Sequence, residues 1–199
     1  MKIVVVGCGS IGARYVRWLN DLGAQVIACD SDPEKLETFK VLNDVICVTN
    51  LDDALSRQPD RVLVATPPNT HADVACAGFE AGVDVLIEKP IASTHEDAKR
   101  IVDTAKRLAR KAWVVCNMRF HDGPQTLKHN MSKIGSPLFA RVHFGHRLSQ
   151  MRPAGTNIFA SSKDEGGGVV LDCIHEIDYL RWFFGEVDSV DSWVGQIGP

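Results

Sequence analysis

The chain has 199 residues, 45% of them apolar and 24% charged, and carries a net charge of −3 at pH 7. This balance fits a soluble globular protein, and the length fits one large domain or one domain with part of another. Charges of both signs are interspersed, so the sequence offers no basic stripe for nucleic acid, no polybasic segment for a membrane surface and no apolar run long enough to span a bilayer.

The apolar run at 3–6 is too short for a signal peptide and is soon followed by Arg14 and Arg17, so it reads as a first core strand. Further strands are expected at 25–29, 45–48, 61–65, 84–87 and 113–117. All are rich in Val and Ile with few polar interruptions, the pattern of parallel strands buried on both faces. Helices are expected between them. One carries Ile11, Val16 and Leu19 after the first strand. Asp32-Pro33 supplies an N-cap and a first-turn proline. Asn69 or Thr70 caps a helix that runs to Ala81 and is ended by Gly82. Ser93-Thr94-His95-Glu96 fits a capping box with Ser93 at the cap. Regular β–α alternation predicts an α/β fold, a Rossmann-type doubly wound parallel sheet over residues 1–119.

After Arg119 the rhythm changes. A helix is expected at 125–133, a strand at 138–144, an irregular polar stretch at 148–165, a helix from Leu171 to Phe184 and a strand at 187–194. Residues 120–199 therefore read as a partial α+β domain, with too few strands to close a core. The six cysteines form no CxxC pair and read as small core residues, free thiols of a cytoplasmic protein. His121, Asp122, His143 and His146 have no convincing ligand spacing, so no metal is expected.

Gly7-Cys8-Gly9-Ser10-Ile11-Gly12 has the GxGxxG pattern, which is weak alone but stands here directly after a strand and at the start of a helix. Gly7 allows the tight turn, Gly9 lets a pyrophosphate approach the backbone, and Gly12 lets the helix pack close to the strand. The helix N-terminus offers N–H groups and partial positive charge to the phosphates. Asp30 ends the second strand, where it can accept hydrogen bonds from the adenosine ribose hydroxyls. No arginine adjoins it to balance a 2′-phosphate, so NAD(H) is expected in preference to NADP(H).

Three further stretches stand out: Ala65-Thr66-Pro67-Pro68-Asn69-Thr70-His71, Glu88-Lys89-Pro90, and Gly166-Gly167-Gly168 through Asp172, His175 and Asp178. Together with the fingerprint they resemble the glucose–fructose oxidoreductase/inositol dehydrogenase family (Gfo/Idh/MocA) along the whole chain. Asn117-Met118-Arg119-Phe120-His121 and His175-Glu176-Ile177-Asp178-Tyr179 look most like members acting on sugars in surface-polysaccharide and nonulosonic-acid pathways.

The resemblance implies an NAD-dependent oxidoreductase that moves hydride to or from a sugar or cyclitol carbon. It implies catalytic roles for Lys89, His175 and Asp172, with Lys89 at the substrate oxygen and His175 as general acid–base. It places Gly7, Gly9, Ser10, Ile11, Gly12, Asp30, Thr66, Pro67, Asn69, His71, Glu88 and Lys89 at the cofactor, and Asn117 and Arg119 on the substrate side. Asp172 stands three residues before His175, where many members have four, which leaves its match to the family aspartate open. Asp178 reads as structural, pairing with Arg181 or capping a neighbour. Trp182-Phe183-Phe184 reads as core or interface, and the resemblance implies a homo-oligomer joined through the C-terminal part. Family members usually continue for another hundred or so residues. A second reading therefore stays open: an NAD-binding module without catalysis, or a truncated inactive homologue. An amino-acid dehydrogenase or imine reductase of similar architecture is a third.

Overall fold

Runs of β-branched residues pair into a single parallel sheet. In the computed structural model, which describes residues 1–145, 165 and 167–195, the strands are β1 (Lys2–Val6), β2 (Gln25–Cys29), β3 (Val45–Val48), β4 (Arg61–Val64), β5 (Asp84–Ile87) and β6 (Ala112–Val114). Their order is β3-β2-β1-β4-β5-β6, and every pairing is parallel. The chain winds outward from β1 to β3, then returns to lay β4 on the other side of β1. That reversal opens a crevice at the carboxyl ends of β1 and β4, where ligands bind in doubly wound sheets.

Alternate residues of each strand serve opposite faces. Val4, Val6, Val62, Val64, Val85 and Ile87 are buried in one cluster with Ala72, Ala75, Phe79 and Ile101, which come from α3 (His71–Glu80) and α4 (His95–Arg107). Ile3, Val5, Val26, Ala28 and Leu63 join Val16 of α1 (Ser10–Asp21) and Leu36 and Phe39 of the 3₁₀ helix Pro33–Phe39 on the other face. Gly78 lets α3 lie close on the sheet, since a Cβ there would stand 2.9 Å from a methyl of Val85.

Local signals set most helix starts. The Asp32 carboxylate accepts from the Glu34 N–H, as its position before Pro33 suggests. Gly82 ends the α3 segment with φ of +80°. A short helix that the hydrophobic pattern does not announce, α2 (Leu51–Ser56), is capped by Asn50, whose side chain accepts from the N–H groups of Asp52 and Asp53. The expected box at α4 is displaced by one residue. Thr94, not Ser93, is the cap: its Oγ1 accepts from the Asp97 N–H at 3.1 Å and donates to the Asp97 carboxylate at 3.0 Å. That reciprocal pair outcompetes the Ser93–Glu96 spacing.

The expected strand at 113–117 ends at Val114, and Asn117–Phe120 turns into a 3₁₀ helix. Beyond it lie α5 (Asp122–Asn130), a 3₁₀ turn Met131–Ile134, α6 (Val169–Asp172) and α7 (Ile174–Phe184). The single helix expected from Leu171 is thus broken at Cys173. The expected strands at 138–144 and 187–194 do not form. A strand needs a neighbour for its N–H and C=O groups, and no ladder among the described residues reaches either segment, leaving Leu138 98% and Trp193 78% exposed. Of the irregular stretch at 148–165 only residue 165 is described, and His146 and Gly166 also lie outside the described residues.

By its contacts the chain divides into two compact units, Met1–Val115 with Arg152–Asp172, and Cys116–Met151 with Cys173–Pro199. The first holds the whole sheet. No helix among the described residues is long and apolar enough to cross a membrane.

Phe79 is 1% exposed between α3 and the sheet. Phe79→Ala is expected to lower unfolding free energy by about 3–5 kcal/mol, read as a lower urea midpoint at unchanged slope; a loss below ~1 kcal/mol would contradict this packing.

Candidate functional site

The turn after β1 is built by steric exclusion. Gly7 has φ of +88°, and a Cβ on it would stand 2.6 Å from the Thr66 backbone nitrogen at the end of β4. A Cβ on Gly12 would come within 1.7 Å of the Gly7 carbonyl oxygen. Two glycines thus bring α1, the β1 end and the β4 end together as closely as backbones allow. The third behaves differently: a Cβ on Gly9 would meet nothing within 4 Å. Gly9 caps α1 with extended backbone and no side-chain hydrogen bond, and no acidic residue lies in the first turn. Ser10 and Ile11, the first residues of α1, are exposed, and no acidic side chain of the first turn competes for their N–H groups. This surface suits a pyrophosphate.

Asp30 lies at the end of β2 and is 8% exposed. Its Oδ2 accepts from the Cys8 N–H at 2.7 Å and its Oδ1 from the Asp32 N–H at 2.9 Å. The carboxylate is thereby fixed beside the fingerprint turn; Oδ2 keeps a lone pair for a ribose hydroxyl, while Oδ1 is also approached by the Lys35 ammonium at 3.4 Å. Burial, then the nearby Asp30 charge, pushes the Cys8 thiol up to about 12, so Cys8 stays an inert packing residue.

The next two strand ends supply the remaining turns. After β4, the Thr70 hydroxyl donates to Thr66 Oγ1 at 2.8 Å or to the Pro67 carbonyl at 2.9 Å, closing a 3₁₀ turn over Pro68–Thr70 that also holds Asn69. His71, expected at the cofactor, has its ring buried between two turns. It is 1% exposed, with Nδ1 3.0 Å from the Pro90 carbonyl oxygen and Nε2 2.9 Å from that of Thr66. The ring ties the turn after β4 to the turn after β5. Burial lowers its pKa, against the opposing pull of those carbonyls and of Glu88.

Glu88 is occupied on both oxygens: Oε1 accepts from the Tyr15 hydroxyl of α1, and Oε2 from the Lys89 N–H at 3.0 Å. Burial first, then the Glu88 hydrogen bond, raises the Tyr15 pKa. Tyr15 is absent from the sequence-based list because its partner lies 73 residues away and no local pattern marks the pair. The Lys89 ammonium donates to the Asp172 carbonyl at 2.9 Å and reaches its Oδ1 at 3.4 Å, with the two side chains 20% and 19% exposed. Within the first unit the structure therefore brings together Lys89 and Asp172, two of the three residues expected to be catalytic.

The second unit holds the others. His175 lies in the first turn of α7, three residues before Asp178. Arg119 Nε and Nη2 donate to Asp178 at 2.8 and 2.6 Å, and the guanidinium lies 5.7 Å from the centroid of the Trp182 ring. The expected Asp178–Arg181 pair does not form, because Asp178 pairs with Arg119 and Arg181 with Glu186. The Arg119 hydrogen bonds hold the Asp178 carboxyl below the usual carboxylate range, against the opposite effect of burial. Asn117 opens the 3₁₀ helix beside Arg119. No group of potential metal ligands clusters among the described residues.

Comparison with known proteins agrees with this geometry. Residues 1–116 match the family model described as an oxidoreductase family with an NAD-binding Rossmann fold, and residues 130–199 match the model of a GFO/IDH/MocA C-terminal domain. Inositol 2-dehydrogenase of Streptomyces avermitilis is 31% identical over 196 residues, covering 94% of this chain and 54% of that protein. Inositol 2-dehydrogenase 2 of Saccharopolyspora erythraea is 34% identical with the same coverage. Among solved structures, myo-inositol 2-dehydrogenase of Lactobacillus plantarum superposes with a TM-score of 0.81 at 25% identity, over 93% of this chain and 56% of that one. The WlbA dehydrogenase of Bordetella pertussis, solved with NADH and UDP-GlcNAcA, superposes at 0.78 with 26% identity, over 93% and 55%. The chain spans about half the length of the curated relatives it matches.

Gly12→Ala must move either α1 or the Gly7 peptide, because the added carbon falls 1.7 Å from a carbonyl oxygen. The variant is expected to lose at least tenfold in NADH affinity, a factor worth about 1.4 kcal/mol, in a fluorescence titration, and unaltered affinity would contradict the close approach.

Proposed function

The chain belongs to the Gfo/Idh/MocA family of NAD-binding oxidoreductases, and we propose that it works as an NAD-dependent dehydrogenase of a secondary hydroxyl on a sugar or cyclitol ring. The observation that carries this reading is the pair of Lys89 and Asp172 beside a dinucleotide fingerprint. When bound, NAD supplies the hydride acceptor; this chain's residues must orient the two reactants and handle the hydroxyl proton.

Each has a defined share. The N–H groups at Ser10 and Ile11 hold the pyrophosphate, and Asp30 holds the adenosine ribose. Thr66, Pro67 and Asn69 border the cofactor from the turn after β4. Glu88 works one step back, fixing the turn that aims Lys89 through the Lys89 N–H. The Lys89 side chain, 20% exposed, follows the end of β5. There it donates to the substrate oxygen and favours the alkoxide character that grows as hydride leaves the carbon. Asp172 holds the ammonium until substrate takes over part of its hydrogen bonding. The family resemblance assigns the proton itself to His175, an imidazole suited to exchange near neutral pH, and the substrate side to Asn117. Arg119, bound to Asp178, supports that side by shaping the second unit.

The substrate class rests on the relatives. Those named above are inositol dehydrogenases and a dehydrogenase solved with a nucleotide sugar acid. A role in surface-polysaccharide or nonulosonic-acid metabolism is the finer form of the proposal, supported by the motif resemblance at 117–121 and 175–179.

A panel of inositols, free sugars and nucleotide sugar acids, assayed with NAD by absorbance at the nicotinamide band, tests the reading. Turnover of at least one is expected, and NAD binding without turnover of any would contradict it in favour of a non-catalytic module. Lys89→Met is expected to lower kcat about 100-fold or more, the usual weight of positioned proton handling, with NADH affinity changed less than threefold. A kcat within twofold of the parent would remove Lys89 from the reaction.

A further inference from the structure

The ribose carboxylate has a cationic neighbour that is not adjacent in sequence. Lys35, on the 3₁₀ helix after β2, brings Nζ to 3.4 Å from Asp30 Oδ1 and 4.0 Å from Asp32 Oδ2. The sequence offers no arginine beside Asp30, and on that ground alone a 2′-phosphate would meet only negative charge. The fold revises the local balance to two carboxylates and one ammonium.

We propose that Lys35 is a specificity-determining residue that sets the margin by which NAD is preferred over its 2′-phosphorylated form, NADP. The proposal rests on the reading of the fingerprint as the dinucleotide site. Asp30 cannot turn away from a bound ribose, since both its oxygens are held by backbone N–H groups and it is 8% exposed. Its charge therefore opposes any phosphate placed on the 2′ oxygen. Lys35 is built to oppose that effect. Its side chain is 47% exposed and carries the ammonium on a flexible four-carbon stem, so it can leave the carboxylate and turn to a phosphate oxygen without disturbing the turn. Asp32 cannot substitute for it and cannot cancel it fully. It is itself partly exposed and already accepts the Glu34 N–H as the cap of the 3₁₀ helix. The other cation of this segment, Lys40, is engaged with Glu37. The 2′ position thus remains unfavourable to a dianion, but less so than Asp30 alone would make it. A free 2′-hydroxyl carries no charge there, so Lys35 acts chiefly on the phosphorylated cofactor.

A half-exposed pair of this kind contributes little to folding, which makes the residue easy to test. NAD and NADP are titrated calorimetrically into the parent chain, Lys35→Ala and Lys35→Glu, at low and moderate salt. The ratio of Kd for NADP to Kd for NAD is expected to rise about five- to tenfold in Lys35→Ala and further in Lys35→Glu. The shift should shrink at moderate salt, because the contact is solvent-exposed and screened over about 10 Å at 0.1 M. A ratio unchanged within twofold in both variants, or a fall, would overturn the role of Lys35 while leaving the NAD site intact. Failure of the parent chain to bind either dinucleotide would overturn the site reading and the Lys35 role together.

Discussion

The close approach of three backbones at the carboxyl ends of β1 and β4 is the constraint on which the site depends. With Gly12 pressed against the Gly7 carbonyl and Gly7 against the Thr66 nitrogen, α1 starts at the crevice and not above it. Only then do its first N–H groups reach a phosphate, and only then can Asp30 at the end of β2 accept from the Cys8 N–H. The same approach brings Tyr15 of α1 to Glu88 after β5, so the phosphate helix and the turn carrying Lys89 share one support. Each contact is small. Together they tie the turns after β1, β2, β4 and β5 to one another.

His71 plays a related part from the other side. Both of its ring nitrogens lie within 3.0 Å of backbone carbonyl oxygens, Nδ1 of Pro90 and Nε2 of Thr66, so the buried ring bridges the two turns. A residue so buried contributes to the cofactor site by fixing the spacing of the turns after β4 and β5. The second unit is organised separately: Arg119, Asp178 and Trp182 form a charged and aromatic cluster in which the Nε edge of Arg119 is taken by Asp178.

Much of the first unit is legible from residues alone. Buried parallel strands need unbroken Val and Ile, and all six runs appear in ladders, because a doubly wound sheet shields both faces of each. Glycines, Asp30 and Lys89 stand out for a similar reason, since each lies within a few residues of a strand end. What was hidden depends on distant partners. Tyr15 with Glu88 and Arg119 with Asp178, 73 and 59 residues apart, follow from how turns are brought together, and sequence spacing carries no record of that. The cap at Thr94 shows the same at short range, where Asp97 decided between two adjacent candidates. The alternating segments at 138–144 and 187–194 mark the opposite failure. Alternation states which residues a strand would bury, but a strand forms only beside a neighbour that the pattern cannot supply.

The central claim is that a dinucleotide binds across the reversal between β1 and β4, its pyrophosphate on the α1 N-terminus and its ribose on Asp30. A crystal structure of the chain with NADH tests it most directly. The account predicts pyrophosphate oxygens within hydrogen-bond distance of the Ser10 or Ile11 N–H groups, with the adenosine ribose hydroxyls on the Asp30 carboxylate. A pyrophosphate seated elsewhere, or a ribose that leaves Asp30 bound only to Cys8, Asp32 and Lys35, would contradict it.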